Sequence, residues 1–145
     1  LRQRIRHEGQ AAMELEFALA GEQTDETYPF ALVAADPAVV DWASTIRSVI
    51  ADVRSGVKAG RISARFHNTL AEMIVAVARL DGGPRVVLTG GCFQNRYLTE
   101  RTVARLRAEE FRPYWHQRIP PNDGGIALGQ IVAAGRHTKW IVDSG

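Results

Sequence analysis

The sequence predicts an α/β fold in which a mixed sheet is flanked by helices. Two observations carry the prediction. Helical and extended patterns follow one another as helix, two strands, two helices, then strand–helix–strand–helix. Two segments about 30 residues apart also share a design, each an extended or loop stretch turned by a glycine pair into a helix. They are Arg85-Val86-Val87-Leu88-Thr89-Gly90-Gly91-Cys92-Phe93-Gln94-Asn95 and Pro120-Pro121-Asn122-Asp123-Gly124-Gly125-Ile126-Ala127-Leu128-Gly129-Gln130. Such turns would set two helix N-termini around one cleft.

The elements follow in order. From Glu8 to Ala20, Ala11, Ala12, Leu15, Ala18 and Leu19 keep helical spacing, and Gly21 ends the helix. Glu22 to Thr27 reads as a polar linker. Tyr28 to Ala34 and Val39 to Trp42 read as strands around an Asp36-Pro37 turn. Trp42, Ile46, Val49, Ile50, Val53 and Val57 make a one-sided helical stripe that ends near Ser55-Gly56, and Gly60 is expected to break the chain again. Phe66, Leu70, Met73, Val77 and Leu80 form the expected seam of the next helix, which Asp81-Gly82-Gly83-Pro84 stops. Val86-Val87-Leu88 predicts a strand covered on both faces. Asn95 to Glu109 predicts a helix, Tyr114-Trp115-His116 a strand, and Gly124 to Ala134 the final helix. Residues 136–145 read as a loosely held tail.

The 145 residues fit one ordinary domain, and 46% apolar residues against 23% charged imply a real core. A net charge of +2 is too small to indicate nucleic acid, while a pI near 9.0 is compatible with an anionic ligand. One cysteine excludes a disulfide framework and a cysteine-based zinc site, and fits a reducing cytoplasm. No stretch is apolar for long enough to span a membrane. The opening Leu1-Arg2-Gln3-Arg4-Ile5-Arg6 has no charged-then-apolar leader and reads as a cut through a longer protein.

Several residue types here carry chemistry. Gly90-Gly91 admits close backbone approach by a phosphate or ribose, with amides and a helix dipole favouring negative charge; a plain strand-to-helix turn fits equally. It is neither GxGxxG nor a P-loop. Asn95 is a helix cap or an amide contact to a ligand. Asp123, just before Gly124-Gly125, is a helix cap or a ligand for a divalent metal. One carboxylate cannot hold a metal, and His7, His67, His116 and His137 are scattered, so other ligands would come from elsewhere. His67 reads as a boundary side chain, Cys92 as a small packing residue, and Arg65, Arg96 and Arg101 as phosphate contacts or solvated surface.

Taken together the motifs resemble the hydrogenase-maturation carbamoyltransferases, HypF. Glu8-Gly9-Gln10-Ala11-Ala12-Met13-Glu14-Leu15-Glu16 is similar to their EGxAAMELE stretch. Ala64-Arg65-Phe66-His67-Asn68-Thr69-Leu70-Ala71 also resembles the family, Thr89 to Arg96 is similar to SGGVFQNR, and Pro120 to Gln130 to PPNDGGIALGQ. The resemblance runs from Arg4 to Ala134. It implies that residues 1–135 form the C-terminal lobe of an actin/Hsp70/sugar-kinase (ASKHA, RNase H-like) domain, akin to the tRNA threonylcarbamoyl-transfer enzymes, with the first lobe and further domains upstream. It implies a cytoplasmic carbamoyltransferase, incomplete in this chain alone, that binds ATP, carbamoyl phosphate and carbamoyl adenylate. The carbamoyl group would pass to the C-terminal cysteine thiolate of HypE, toward the cyanide ligands of [NiFe] hydrogenase. Asp123 then matches an acidic ligand to a divalent metal (Mg, Fe or Zn) whose histidines lie in the first lobe. Gly90, Gly91, Asn95 and Gly124 match nucleotide-contacting loops, and Glu14 an acidic residue at the ribose, where a shift of one residue would place Met13. Cys92 stands where the family pattern has valine. No residue of the chain is expected to be the nucleophile. Alternatives are an acetate- or sugar-kinase-like phosphotransferase, a tRNA threonylcarbamoyl-type transferase, or a non-catalytic lobe that binds nucleotide or partner.

Overall fold

A computed structural model describes residues 4–142, with side chains to residue 136. The order is α1 (Gln10–Phe17), β1 (Ala31–Val33), β2 (Val39–Asp41), α2 (Ala43–Arg54), α3 (Ala59–Asp81), β3 (Arg85–Leu88), α4 (Arg96–Ala108), β4 (Arg112–Trp115) and α5 (Ile126–Val142). Short 3₁₀ turns, Gly91–Gln94 and Asp123–Gly125, precede α4 and α5. The predicted α/β order therefore holds. The mixed sheet takes a different form: among the described residues there are two separate two-stranded sheets. β1 pairs antiparallel with β2, from Ala31 opposite Asp41 to Val33 opposite Val39. β3 pairs parallel with β4, from Arg85 opposite Arg112 to Leu88 opposite Trp115. Of the expected tail, the part up to Val142 continues α5, and residues 143–145 lie outside the described residues.

The core is small. Val75 and Ala78 of α3, Leu88 of β3, and Val103 and Leu106 of α4 are its centre, edged by Ile74, Val86, Phe93, Phe111 and Trp115. The face of α3 that is buried is not the predicted seam. Ser63, Ala64, His67, Ala71, Val75 and Ala78 are buried, whereas Val77 and Leu80 are exposed and Phe66, Leu70 and Met73 only half-buried. Small residues let another helix approach closely, so the bulky stripe turns outward into open grooves. Gly60 likewise does not break the chain. It lies in the first turn of α3, where an added Cβ would sit 2.6 Å from the Ala18 carbonyl oxygen. β3 is covered on one face only: Leu88 is buried while Val87 is 68% exposed, as is its partner Tyr114 at 52%.

A polar layer pins the N-terminal half to α3. The Tyr28 amide donates to Thr69 Oγ1 and the Thr45 hydroxyl to the Pro29 carbonyl, both at 2.7 Å. Arg65 bridges Glu26 and Asp52 at 2.6 Å, and the Tyr28 hydroxyl also donates to Asp52. Burial and that carboxylate push the Tyr28 phenol up to about 12. The Tyr28 hydroxyl and the Arg65 guanidinium hold Asp52 below the ordinary carboxylate range, and Arg65 and Arg61 do so for Glu26. No helix among the described residues is long and apolar enough to cross a membrane.

Candidate functional site

The two glycine turns meet. The Gly90 amide donates to the Pro121 carbonyl at 2.8 Å, and a Cβ added to Gly91 would lie 3.9 Å from Asn122 Cβ. Gly90 needs to be glycine, since its φ of 104° is a region L side chains avoid. Gly91 then enters the 3₁₀ turn, and α4 begins only at Arg96. Between this turn and α1 opens a cleft of about 510 Å³, lined by Gly91, Cys92, Gln94 and Asn95 on one side and Gly9, Met13 and Glu16 on the other. Phe66, His67 and Leu70 of α3 form its floor.

The helix N-termini do not present open anion sites. The amides of Arg96 and Tyr97 donate to Glu16 Oε1 at 2.7 and 3.4 Å, so a carboxylate from α1 occupies the start of α4. The Leu98 amide donates to Asn95 Oδ1 at 2.8 Å, which makes Asn95 the cap of α4. At the second turn the cap is Asn122, whose side chain accepts from the Gly124 amide at 3.1 Å while its carbonyl accepts from Gly125. The amides of Gly90 and Gly124 are thus committed inside the protein. Among the described residues no hydrogen bond from the Gly91 or Cys92 amide is seen, and both residues line the cleft.

Asp123 is the first residue of the second 3₁₀ turn and is not the cap. Its carboxylate makes no hydrogen bond or ion pair among the described residues, which contain no group of three or more His, Cys, Asp or Glu able to hold a metal. An exposed carboxylate without a competing cation suits one position in a metal's ligand set and is not a site by itself. Glu14 does not line the cleft; it accepts from Gln10 Nε2 at 2.9 Å, and Met13 and Glu16 of the same helix face the opening instead. The three arginines considered as phosphate contacts are in ion pairs, Arg65 as above, Arg96 with Glu100 at 2.8 Å and Arg101 with Asp25 at 2.7 Å. Cys92 is exposed at the cleft rather than packed.

Two residues matter more than the sequence reading allowed. Glu16 is one, as the remote cap of α4. His67, only 3% exposed, is the other. Its Nδ1 lies 2.8 Å from the Ser63 carbonyl and its Nε2 lies 2.8 Å from Asn95 Nδ2, so it is a buried junction between α3 and the glycine turn rather than a boundary side chain. Burial pushes its pKa below the ordinary value, against the opposing effects of the Ser63 carbonyl and Glu16. The spacing of Ser63, His67 and Ala71 at every fourth residue was the available signal, hidden because the stripe is small and polar.

Known proteins are similar to this chain in sequence and in fold. Residues 1–130 match the family model described as "Carbamoyltransferase, Kae1-like Domain, second subdomain". The carbamoyltransferase HypF of Synechocystis sp. is 39% identical over 138 residues, covering 94% of this chain and 18% of that protein. That of Rhodobacter capsulatus is 35% identical over 132 residues, covering 88% and 16%. The chain therefore spans about a fifth of the length of these relatives. The crystal structure of full-length HypF in a phosphate- and nucleotide-bound form superposes with a TM-score of 0.86 at 39% identity, over 93% of this chain and 22% of that one. HypF of T. kodakarensis, at 21% identity and a TM-score of 0.76 over 96% and 18%, shares the fold.

Proposed function

The chain belongs to the HypF carbamoyltransferases, and on that premise we propose that it supplies the nucleotide-facing half of a carbamoyl-transfer site. The observation that carries the reading is the joining of the two glycine turns through Gly90 and Pro121 beside the cleft. The cleft would hold the adenylate portion of carbamoyl adenylate, itself made from carbamoyl phosphate and ATP. Gly91 and Cys92 would offer backbone amides to it, and Met13, Phe66 and Leu70 an apolar wall. Positioning is then the chain's main contribution, since holding the reacting group in place removes much of the entropic part of a barrier. Asp123 would be a ligand to a divalent metal, which when bound offsets phosphate charge and polarises the carbamoyl group as a Lewis acid.

The reaction balances without a nucleophile from this chain. The C-terminal thiolate of HypE would attack the carbamoyl carbon, forming a carbon–sulfur bond as the carbon–oxygen bond to the phosphate breaks and AMP leaves. Toward [NiFe] hydrogenase, the S-carbamoylated partner is then the source of the cyanide ligands.

The test uses the complete protein with carbamoyl phosphate, ATP and HypE. Carbamoylated HypE and AMP should appear together, and Asp123→Ala should abolish both. Transfer of the γ-phosphate to a small alcohol, with no carbamoylation, would instead identify a phosphotransferase and sink the proposal.

A further inference from the structure

We propose that His67 is a positioning residue for the nucleotide turn: its Nε2 accepts from Asn95 and thereby sets the orientation of the amide that ends the turn and caps α4. This rests on reading the cleft as the nucleotide site. The hydrogen-bond logic is one-directional. A carbonyl oxygen only accepts, so the 2.8 Å contact to Ser63 puts the imidazole proton on Nδ1 and leaves a lone pair on Nε2. The Asn95 side chain must then turn its NH₂ toward His67, at 2.8 Å, and its oxygen toward the Leu98 amide, also at 2.8 Å. A flipped amide would set oxygen against the Nε2 lone pair and NH₂ against the Leu98 N–H, losing both bonds.

The ring itself is held. Tyr97 meets it edge-on at 5.7 Å between centroids and Phe66 at 6.1 Å. Tyr97 is fixed in turn by its hydroxyl on Asn68 Oδ1 at 2.9 Å. The Ser63 hydroxyl donates to the Leu15 carbonyl, which ties the same turn of α3 to α1. Both walls of the cleft, α1 and the glycine turn, are thus registered to one turn of α3, the first through Ser63 and the second through the His67 ring, and His67 and Asn95 line that cleft together. Burial favours the neutral ring that this role requires.

Calorimetry with AMP on the complete protein, comparing His67→Leu with His67→Gln, tests the inference. Leucine keeps bulk and removes the acceptor, whereas the glutamine amide reaches the place of Nε2 and keeps it. AMP affinity should fall about tenfold in the leucine variant, the scale of one lost hydrogen bond, and stay within about threefold in the glutamine variant. Wild-type affinity in the leucine variant, or equal loss in both, would overturn the proposal, because a packing role treats them alike. Should the variants not fold, ¹⁵N NMR of the histidine-labelled wild type decides. The proton must reside on Nδ1 and the His67 resonances must move when AMP binds; a proton on Nε2 overturns the assignment. Wild-type protein that binds neither AMP nor ATP would remove the nucleotide reading instead, while the tautomer would still report whether Nε2 is able to accept from Asn95.

Discussion

At the scale of single residues, cap and candidate ligand are separable because they are adjacent side chains. The Asn122 side chain holds the Gly124 amide, and the Asp123 carboxylate holds nothing among the described residues. Asn122→Ala should therefore cost about 1 kcal/mol in chemical denaturation, and Asp123→Ala should leave stability unchanged while abolishing transfer. A destabilised Asp123→Ala protein would return that residue to a structural role. Gly91 has room for a Cβ, so Gly91→Ala should melt like the wild type and lose AMP affinity through crowding of the ligand alone. Unchanged affinity by calorimetry would take the turn out of the site. His67 sets a pH dependence whose sign can be worked out. Its folded pKa is depressed, so the unfolded chain takes up a proton first as pH falls. Its contribution is complete above the unfolded value of about 6.5 and is lost as pH falls through that value toward the folded one. Melting temperature against pH should thus slope in that window for wild type and flatten in His67→Leu. Identical slopes would mean that the ring is not held neutral.

At the scale of elements, apolar patterns and turn residues found each α-helix and each strand among the described residues, and misjudged which faces meet. Apolar bulk marked Phe66, Leu70, Met73, Val77 and Leu80 as the seam of α3, yet the packed face is Ser63, Ala64, His67, Ala71, Val75 and Ala78. Hydrophobicity reports what avoids water; close approach of two backbones selects for small size, which a polarity pattern does not register. Gly60 was missed for the same reason. Gly60→Ala would push a Cβ into the Ala18 carbonyl and should cost about 1–3 kcal/mol in denaturation, although alanine is the better helix former. A neutral or stabilising result would show that the end of α1 gives way freely. The α4 N-terminus was illegible in another way. Its carboxylate, Glu16, arrives from 80 residues away, and no local spacing announces such a cap. Glu16→Gln should weaken α4 by about 1 kcal/mol.

For the whole molecule, an ordinary domain size and a real core go with a large open surface. The accessible surface is 10581 Å², against about 7,400 Å² for a compact monomer of this mass. Part of the open surface is apolar. Val87 and Tyr114 on the outer face of β3 and β4, Val77 and Leu80 on α3, and Ile131 and Val132 on α5 all lie open. Composition counts apolar residues without saying whether this chain has the partners to cover them, so it indicated the core of Val75, Leu88, Val103 and Leu106 but not the uncovered faces beside it. Patches of this kind drive association, and the chain expressed alone should sediment as concentration-dependent oligomers; a monodisperse monomer would contradict the exposed faces. Three of the four quoted stretches, by contrast, line the cleft, through Gly9, Met13, Glu16, His67, Gly91 and Asn95, whereas no residue of Pro120 to Gln130 does, so only the first of the two glycine turns borders it. The bond from Gly90 to Pro121 couples two turns. It ties the turn proposed to face a nucleotide to the turn that carries Asp123, so neither can shift without straining the other. Occupancy on one side should then change affinity on the other by the same factor in both directions, as thermodynamic reciprocity requires. Titrating AMP at rising divalent metal, and metal at rising AMP, would measure that single coupling constant twice.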